Sequence, residues 1–250
     1  MTTSEPQRRN KLATKNGSIH RLYEIERRLR KVYGQPRHHN PEAPLDDLVF
    51  LVLSRMTQEI KYVKAYKDLK KNFGNWRNLL NSSTKRLESV LRYAGLAKTK
   101  ARQIRGILKA VNAREGRLSL ACLRNLQDTE VEAYLTSLPG VSYKIARCVM
   151  LYALKRSMFP VDAHVSRIAR RLGLLPLDTK RGSRRETALQ DRIPLVLRSS
   201  LHVTLLAHGR QICTAHKPGC GVCPIFDLCP KHGVTNKDFP RQRTSRYQSD

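Results

Sequence analysis

Cys213, Cys220, Cys223 and Cys229 fall within seventeen residues in the pattern C-x6-C-x2-C-x5-C, and no other feature of the 250-residue chain restricts its folding as much. Four thiols this close in sequence converge only where the chain turns repeatedly between them, and Pro218, Gly219, Gly221 and Pro224 supply those turns. Four sulfurs suit either a [4Fe–4S] cluster or a tetrahedral zinc ion, since both accept ligation by four cysteines. The chain opens with MTTSEPQRRN, which has no apolar segment of signal-peptide type. The thiols are therefore expected in a reducing, intracellular compartment (cytoplasm or nucleoid, or a nucleus), where metal ligation outranks disulfide formation. The remaining two cysteines, Cys122 and Cys148, lie on apolar helix faces and read as core packing.

Charge sets the partner. Lys and Arg number 48 against 20 Asp and Glu, a formal net charge of +28. The charge is spread along the chain, with Lys98, Lys100, Arg102, Arg105 and Lys109 in one segment, Lys180, Arg181, Arg184 and Arg185 in another, and Arg21, Arg27, Arg28 and Arg30 in a third. Such a surface attracts a polyanion, and nucleic acid is the expected one. Aromatic residues make up only 6%, so a surface built mainly from base-stacking rings is not expected. The longest uncharged apolar run, over 48–53, is far short of the ~20 residues that span a bilayer. No membrane partner is therefore expected.

Apolar periodicity is helical nearly throughout. After Ser18, a candidate N-cap, Leu22, Ile25, Leu29 and Val32 recur at spacings of three and four until Gly34. Asp46 or Asp47 can cap a strongly apolar helix carrying Leu48, Phe50, Leu51 and Leu53. Ile60, Val63, Tyr66 and Leu69 share a face before Gly74, and Leu87, Val90 and Leu91 lead to Gly95. Thr99 is a candidate cap for a helix with Ile104, Ile107, Leu108 and Val111 inward, up to Gly116. Further helices are expected near 129–137, 142–156 and 164–172, with a polar connection over 176–192. No stretch alternates with period two between hairpin turns, so the fold class is all-α.

The segment Leu135-x-x-Leu138-Pro139-Gly140-Val141-Ser142-Tyr143-Lys144-Ile145-Ala146 reads as helix, glycine hairpin, helix. A tight turn feeding a helix N-terminus offers free N–H groups and the positive end of a dipole, which suits phosphate whatever the base sequence. Lys144 lies in the first turn of the second helix, where the dipole opposes an ammonium and an amine beside bound DNA can act as a nucleophile. Asp162, in FPVDAHVSRI, begins the next helix. It can cap that helix, or stabilise a cationic sugar and take up the lysine proton.

These residues together resemble endonuclease III and its relatives among the helix-hairpin-helix DNA glycosylases, over roughly residues 20–232. LPGVSYKIA is similar to the family's LPGVGRKTA and VDAHVSRI to its VDTHIFRV. HGRQICTAHKPGCGVCPIFDLC is similar to its cluster segment, and GLAKTKA to its GLYNSKA. The resemblance implies two helical domains with a DNA groove between them: a six-helix barrel over 45–161, and an iron–sulfur domain from 18–44 and 162–232. Basic flexible ends would occupy 1–17 and 233–250. It implies a [4Fe–4S] cluster on Cys213, Cys220, Cys223 and Cys229, and Lys144 and Asp162 as catalytic residues.

It further implies DNA contacts through Leu138, Gly140, Val141 and Ser142 of the hairpin, through His164 and Lys217, and through Met56. The implied reaction is base flipping, attack of the Lys144 amine on C1′, loss of the base and β-elimination through a Schiff base. The partner would be double-stranded DNA with a damaged or modified base, bound by a monomer.

Several positions depart from the family pattern. Ser142 replaces the hairpin's second glycine, and Met56 stands where relatives insert a glutamine into the gap left by the flipped base. An apolar side chain can fill that gap by stacking. Thr136 replaces a pocket glutamate of some relatives. The adenine-specific branch carries a glutamate where this chain has Leu51 and lacks the lysine, so adenine removal is not expected. Oxidised pyrimidines are the first expected substrate. FPVDAHVSRIARRLGLLPL is also similar to plant demethylating glycosylases, which puts a 5-substituted cytosine or uracil, or mismatched thymine, second. A monofunctional glycosylase and a non-catalytic DNA-binding protein are the remaining alternatives.

Overall fold

In a computed structural model, residues 5–34 and 38–235 are described, with side chains from residue 18 on. The helices are α1 (Glu5–Tyr33), α2 (Pro44–Ser54), α3 (Glu59–Phe73), α4 (Trp76–Asn81), α5 (Thr84–Val90), α6 (Ala97–Glu115), α7 (Asp128–Thr136), α8 (Tyr143–Tyr152), α9 (Ala163–Arg171), α10 (Arg184–Thr187) and α11 (Arg198–Gln211). Short 3₁₀ turns link several of them, and no strand occurs among the described residues, so the fold is all-α. None of these helices is long and apolar enough to cross a membrane. The chain divides into two units, one of residues 37–160 and one of residues 1–36 with 161–250.

In the first unit, α2 is buried on nearly every side, through Leu45, Leu48, Val49, Phe50, Leu51, Val52 and Leu53. A helix apolar all round belongs at the centre of a unit, and α2 packs on α3, α6 and α8. Each fully buried leucine is worth about 1.5–3 kcal/mol relative to exposure. Pro44 opens α2 at its first position, where a fixed φ and a missing N–H cost nothing.

Neither Asp46 nor Asp47 caps α2; the cap position is Ala43. Asp46 instead accepts from Tyr66 Oη (2.7 Å), Lys70 Nζ (2.9 Å) and Trp76 Nε1 (2.9 Å), fastening α2 to α3 and α4. Phe50 stands edge-on to Tyr62 and Tyr66 beneath that bond. Residues 38–42 belong to this unit as well: the His38 ring lies on Tyr152, Asn40 donates to Asp47, and Glu42 O accepts from Arg124. The unit boundary therefore falls earlier than the sequence suggests.

α6 begins after Leu96, whose left-handed φ of 52° follows Gly95, so Thr99 lies inside the first turn and caps nothing. Its buried face is Ala101, Ile104, Ile107, Leu108 and Val111. Ile60, expected on the buried face of α3, is exposed. Cys148 is buried, but Cys122 is only partly so and donates to Glu115 (3.2 Å).

In the second unit, α1 buries Leu22, Ile25 and Leu29 and packs on α11. The helix begins at Glu5, so residues 5–17 are helical rather than a loose extension and Ser18 is not its cap; Val32 is exposed. Arg21 donates to Leu172 O (2.5 Å) and Leu228 O (2.9 Å), joining α1 to the end of α9 and to the cysteine segment. α9 and α11 approach closely: a Cβ on Gly209 would meet His164 Cβ at 2.7 Å. The connection over 176–192 contains α10, whose Glu186 is buried and accepts from Ser166. Of the basic tail expected over 233–250, residues 236–250 lie outside the described residues.

Candidate active site and cysteine centre

The hairpin forms as the sequence predicts, between α7 and α8. Gly140 has φ 70°, a conformation that favours glycine, and a Cβ there would sit 2.8 Å from Gln103 Nε2, so that side chain would have to move. Leu138 and Val141 turn their side chains into the core, at 2% and 6% exposure, which leaves Pro139, Gly140 and Ser142 as the exposed residues of the turn. Any contact of Leu138 or Val141 with an outside ligand would therefore run through backbone. Ser142 Oγ accepts the Ile145 N–H (3.5 Å) and so caps α8. The start of a helix leaves further N–H groups without intrahelical partners. Lys144 is the second residue of α8 and is partly exposed. Behind it, Glu132 and Arg147 (2.5 Å) tie α7 to α8.

A buried carboxyl lies within electrostatic reach of this lysine. Asp47 is 0% exposed, with Oδ1 accepting from Asn40 Nδ2 (2.6 Å) and Oδ2 without a hydrogen-bond partner. Burial pushes it up to about 8, against the opposing pull of Asn40 and of the Lys155 and Lys144 charges.

Met56 is 89% exposed with φ 50°, an uncommon pairing of apolar side chain, exposure and left-handed backbone. The neighbouring turn at Gly95–Leu96 presents Leu96 in the same way, with φ 52° and 54% exposure. Lys100, which the sequence placed on the basic surface, is 2% exposed. Its Nζ donates to Leu53 O (2.7 Å), Thr57 Oγ1 (2.5 Å) and Ala94 O (2.6 Å). Burial, with the Arg55 charge, lowers it to about 8. One turn on, Gln103 donates to Gly140 O (2.9 Å) and accepts from Arg55 (3.0 Å). Sequence reasoning read Lys100 only as a surface charge and gave Gln103 no role; the available signal for Leu96 and Lys100 was the GLAKTKA segment.

Asp162 belongs to the other unit, where its Oδ1 accepts the Val165 N–H (2.8 Å) and caps α9. His164 is partly buried with Nδ1 3.1 Å from Arg167, and Arg167 also donates to Gly209 O and Cys213 O. Lys217 is exposed, and its carbonyl accepts from Thr214 Oγ1 (2.6 Å).

Cys213, Cys220, Cys223 and Cys229 are all free thiols and line one pocket whose other walls include Ile168, Leu172, Ile212 and Ile225. Arg171 donates to Cys213 Sγ (3.0 Å) and to the carbonyls of Thr214 and Ala215, and Cys229 Sγ lies 3.5 Å from Arg171 O. His208 Nε2 is 3.6 Å from Cys223 Sγ, and its Nδ1 is 2.9 Å from the Tyr33 hydroxyl. Four sulfurs, apolar walls and N–H donors aimed at sulfur are the surroundings an iron–sulfur cluster uses. Among the described residues no three His, Cys, Asp or Glu side chains are close enough to share one ion.

Residues 49–194 match the HhH-GPD superfamily of base excision DNA repair proteins. The chain is 38% identical over 197 residues to an Arabidopsis thaliana protein named as a DNA glycosylase, covering 79% of this chain and 64% of that protein's length. Among solved structures it is similar to a non-covalent endonuclease III–DNA complex (TM-score 0.71, 27% identity, 87% of this chain and 95% of that one). It is also similar to a trapped covalent endonuclease III–DNA intermediate (TM-score 0.70, 27% identity, 87% and 96%).

Proposed function

From the premise that the chain belongs to the HhH-GPD superfamily of base excision DNA repair proteins, on its endonuclease III side, we propose that it is a bifunctional DNA glycosylase, with Lys144 as the nucleophile. The observation that carries this reading is the placement of Lys144: an accessible amine in the first turn of α8, directly after the glycine hairpin. Hairpin N–H groups bind phosphate without reading bases, and the amine stands beside the sugar so held.

The deprotonated amine attacks C1′ as the glycosidic C–N bond breaks, and the base leaves with its bonding pair and takes up a proton. Loss of one amine proton and opening of the C1′–O4′ bond, with O4′ taking up a proton, give a protonated imine between Nζ and C1′. Removal of a C2′ proton then expels the 3′ phosphate by β-elimination. Asp162, with one oxygen held by the Val165 N–H, stabilises positive charge on the sugar and accepts the lysine proton. An oxidised pyrimidine in duplex DNA is the substrate this reading puts first, bound by a monomer. Cys213, Cys220, Cys223 and Cys229 hold a [4Fe–4S] cluster that keeps the segment bearing His216 and Lys217 in shape.

Borohydride trapping tests this on duplexes carrying thymine glycol, 5-hydroxymethyluracil, 5-methylcytosine, uracil, mismatched thymine or an abasic site. A covalent adduct on one or two modified bases, absent in Lys144→Ala, is the expected result. Base release without any adduct in the wild-type protein would replace the reading with a monofunctional glycosylase.

A further inference from the structure

Two exposed apolar side chains on strained backbone stand in adjacent turns of the first unit, and one buried ammonium holds both turns. Met56 and Leu96 each have left-handed φ, which an L side chain adopts only where surrounding structure enforces it. Thr57 Oγ1 donates to Ala94 O (2.6 Å), joining the Met56 turn to the Leu96 turn. Lys100 Nζ spends its three N–H bonds on Leu53 O, Thr57 Oγ1 and Ala94 O, that is, on the end of α2 and on both turns. Every N–H of this buried ammonium is thus committed to the chain that carries the two turns. Gln103, one turn along α6, carries the same helix to the hairpin by donating to Gly140 O while accepting from Arg55, the neighbour of Met56.

We propose that Lys100 and Gln103 are positioning residues that lock the Met56 and Leu96 turns to the hairpin, so that two apolar tips enter the base stack at a fixed offset from the phosphate contact. The inference rests on the glycosylase reading above. Its physical content is that α6 acts as a rigid rule: the hairpin fixes the backbone of the DNA, and the tips unstack the duplex at a set distance from it.

The test uses the full chain and a duplex with a tetrahydrofuran abasic analogue opposite 2-aminopurine, whose fluorescence rises when it loses its stacking partners. Wild-type protein at saturation should raise that fluorescence. Lys100→Met and Thr57→Val should lose at least half of the rise, while Thr57→Ser, which keeps the hydroxyl, should retain it. All three variants should cleave an abasic site in single-stranded DNA within two-fold of wild type, because that substrate has no stack to open.

A rise equal to wild type in both Lys100→Met and Thr57→Val overturns the proposal. Loss of single-strand cleavage along with the rise also overturns it, since the residues would then serve the fold at large. Lysine-dependent trapping by a wild-type protein that gives no rise sinks this proposal and spares the glycosylase reading, whereas no trapping on any duplex sinks that reading and this proposal with it.

Discussion

Replacing Asp47 by Asn should make the protein more stable, by much more in mild alkali than in mild acid. Asp47 has no exposed surface, one carboxylate oxygen bonded to Asn40 and the other without a partner. Folding therefore raises it from an ordinary 3.8 to about 8. Between those values the unfolded chain has already lost a proton that the folded chain still holds, so stability falls as pH rises through that window. At about 1.4 kcal/mol for each pH unit, the ceiling of the loss is about 6 kcal/mol above pH 8. An Asn carbonyl can keep the Asn40 bond, and its amide replaces a protonated hydroxyl that was equally unpartnered, so at pH 5 the variant gains only the roughly 1.7 kcal/mol that the wild type has lost between pH 3.8 and 5. Urea unfolding of both proteins at pH 5 and pH 9, followed by circular dichroism, measures the difference. The variant should gain several kcal/mol over wild type at pH 9 relative to pH 5. Parallel stability profiles for the two proteins would refute the argument.

Other outcomes follow from single contacts. Asp46→Ala removes the acceptor of Tyr66, Lys70 and Trp76 together and should cost about 2–4 kcal/mol in the same unfolding assay. Gly140→Ala forces a side chain onto a φ of 70° and into Gln103; duplex affinity should fall at least ten-fold in a fluorescence anisotropy titration, with a smaller loss of stability. Asp162→Asn keeps an N-cap oxygen for Val165 yet loses the charge, so base release should slow far more than the melting temperature shifts. Cys220→Ser should abolish visible iron–sulfur absorption, and colourless wild-type protein carrying zinc would contradict the cluster assignment.

What the sequence made legible is what is local. The three-and-four spacing of Leu22, Ile25 and Leu29 marks the buried face of α1 correctly, Gly34, Gly74 and Gly116 stop helices with positive φ, and Ser142 caps α8. Misreadings arise where a polar residue serves distant chain. Asp46 looks like a cap because it precedes apolar residues, but its acceptors' partners lie on α3 and α4. Lys100 looks like one more surface charge in a basic segment; only the tertiary approach of Leu53 and Ala94 carbonyls gives a buried ammonium three partners. Ser18 looks like a helix start, yet α1 runs through it from Glu5. At the candidate site, Lys144, Asp162 and the four cysteines stand out in the sequence because each sits in a motif of fixed spacing, and the roles given to them are proposals; Leu96 and Lys100 lie in the GLAKTKA segment, whereas Gln103 lies in no motif.

The most direct test of the central claim is peptide mapping by tandem mass spectrometry of the borohydride-trapped protein–DNA adduct. The account predicts a reduced sugar remnant on Lys144 and on no other amine. A remnant on Lys155, on Lys100 or on the N-terminal amine, with Lys144 unmodified, would contradict it.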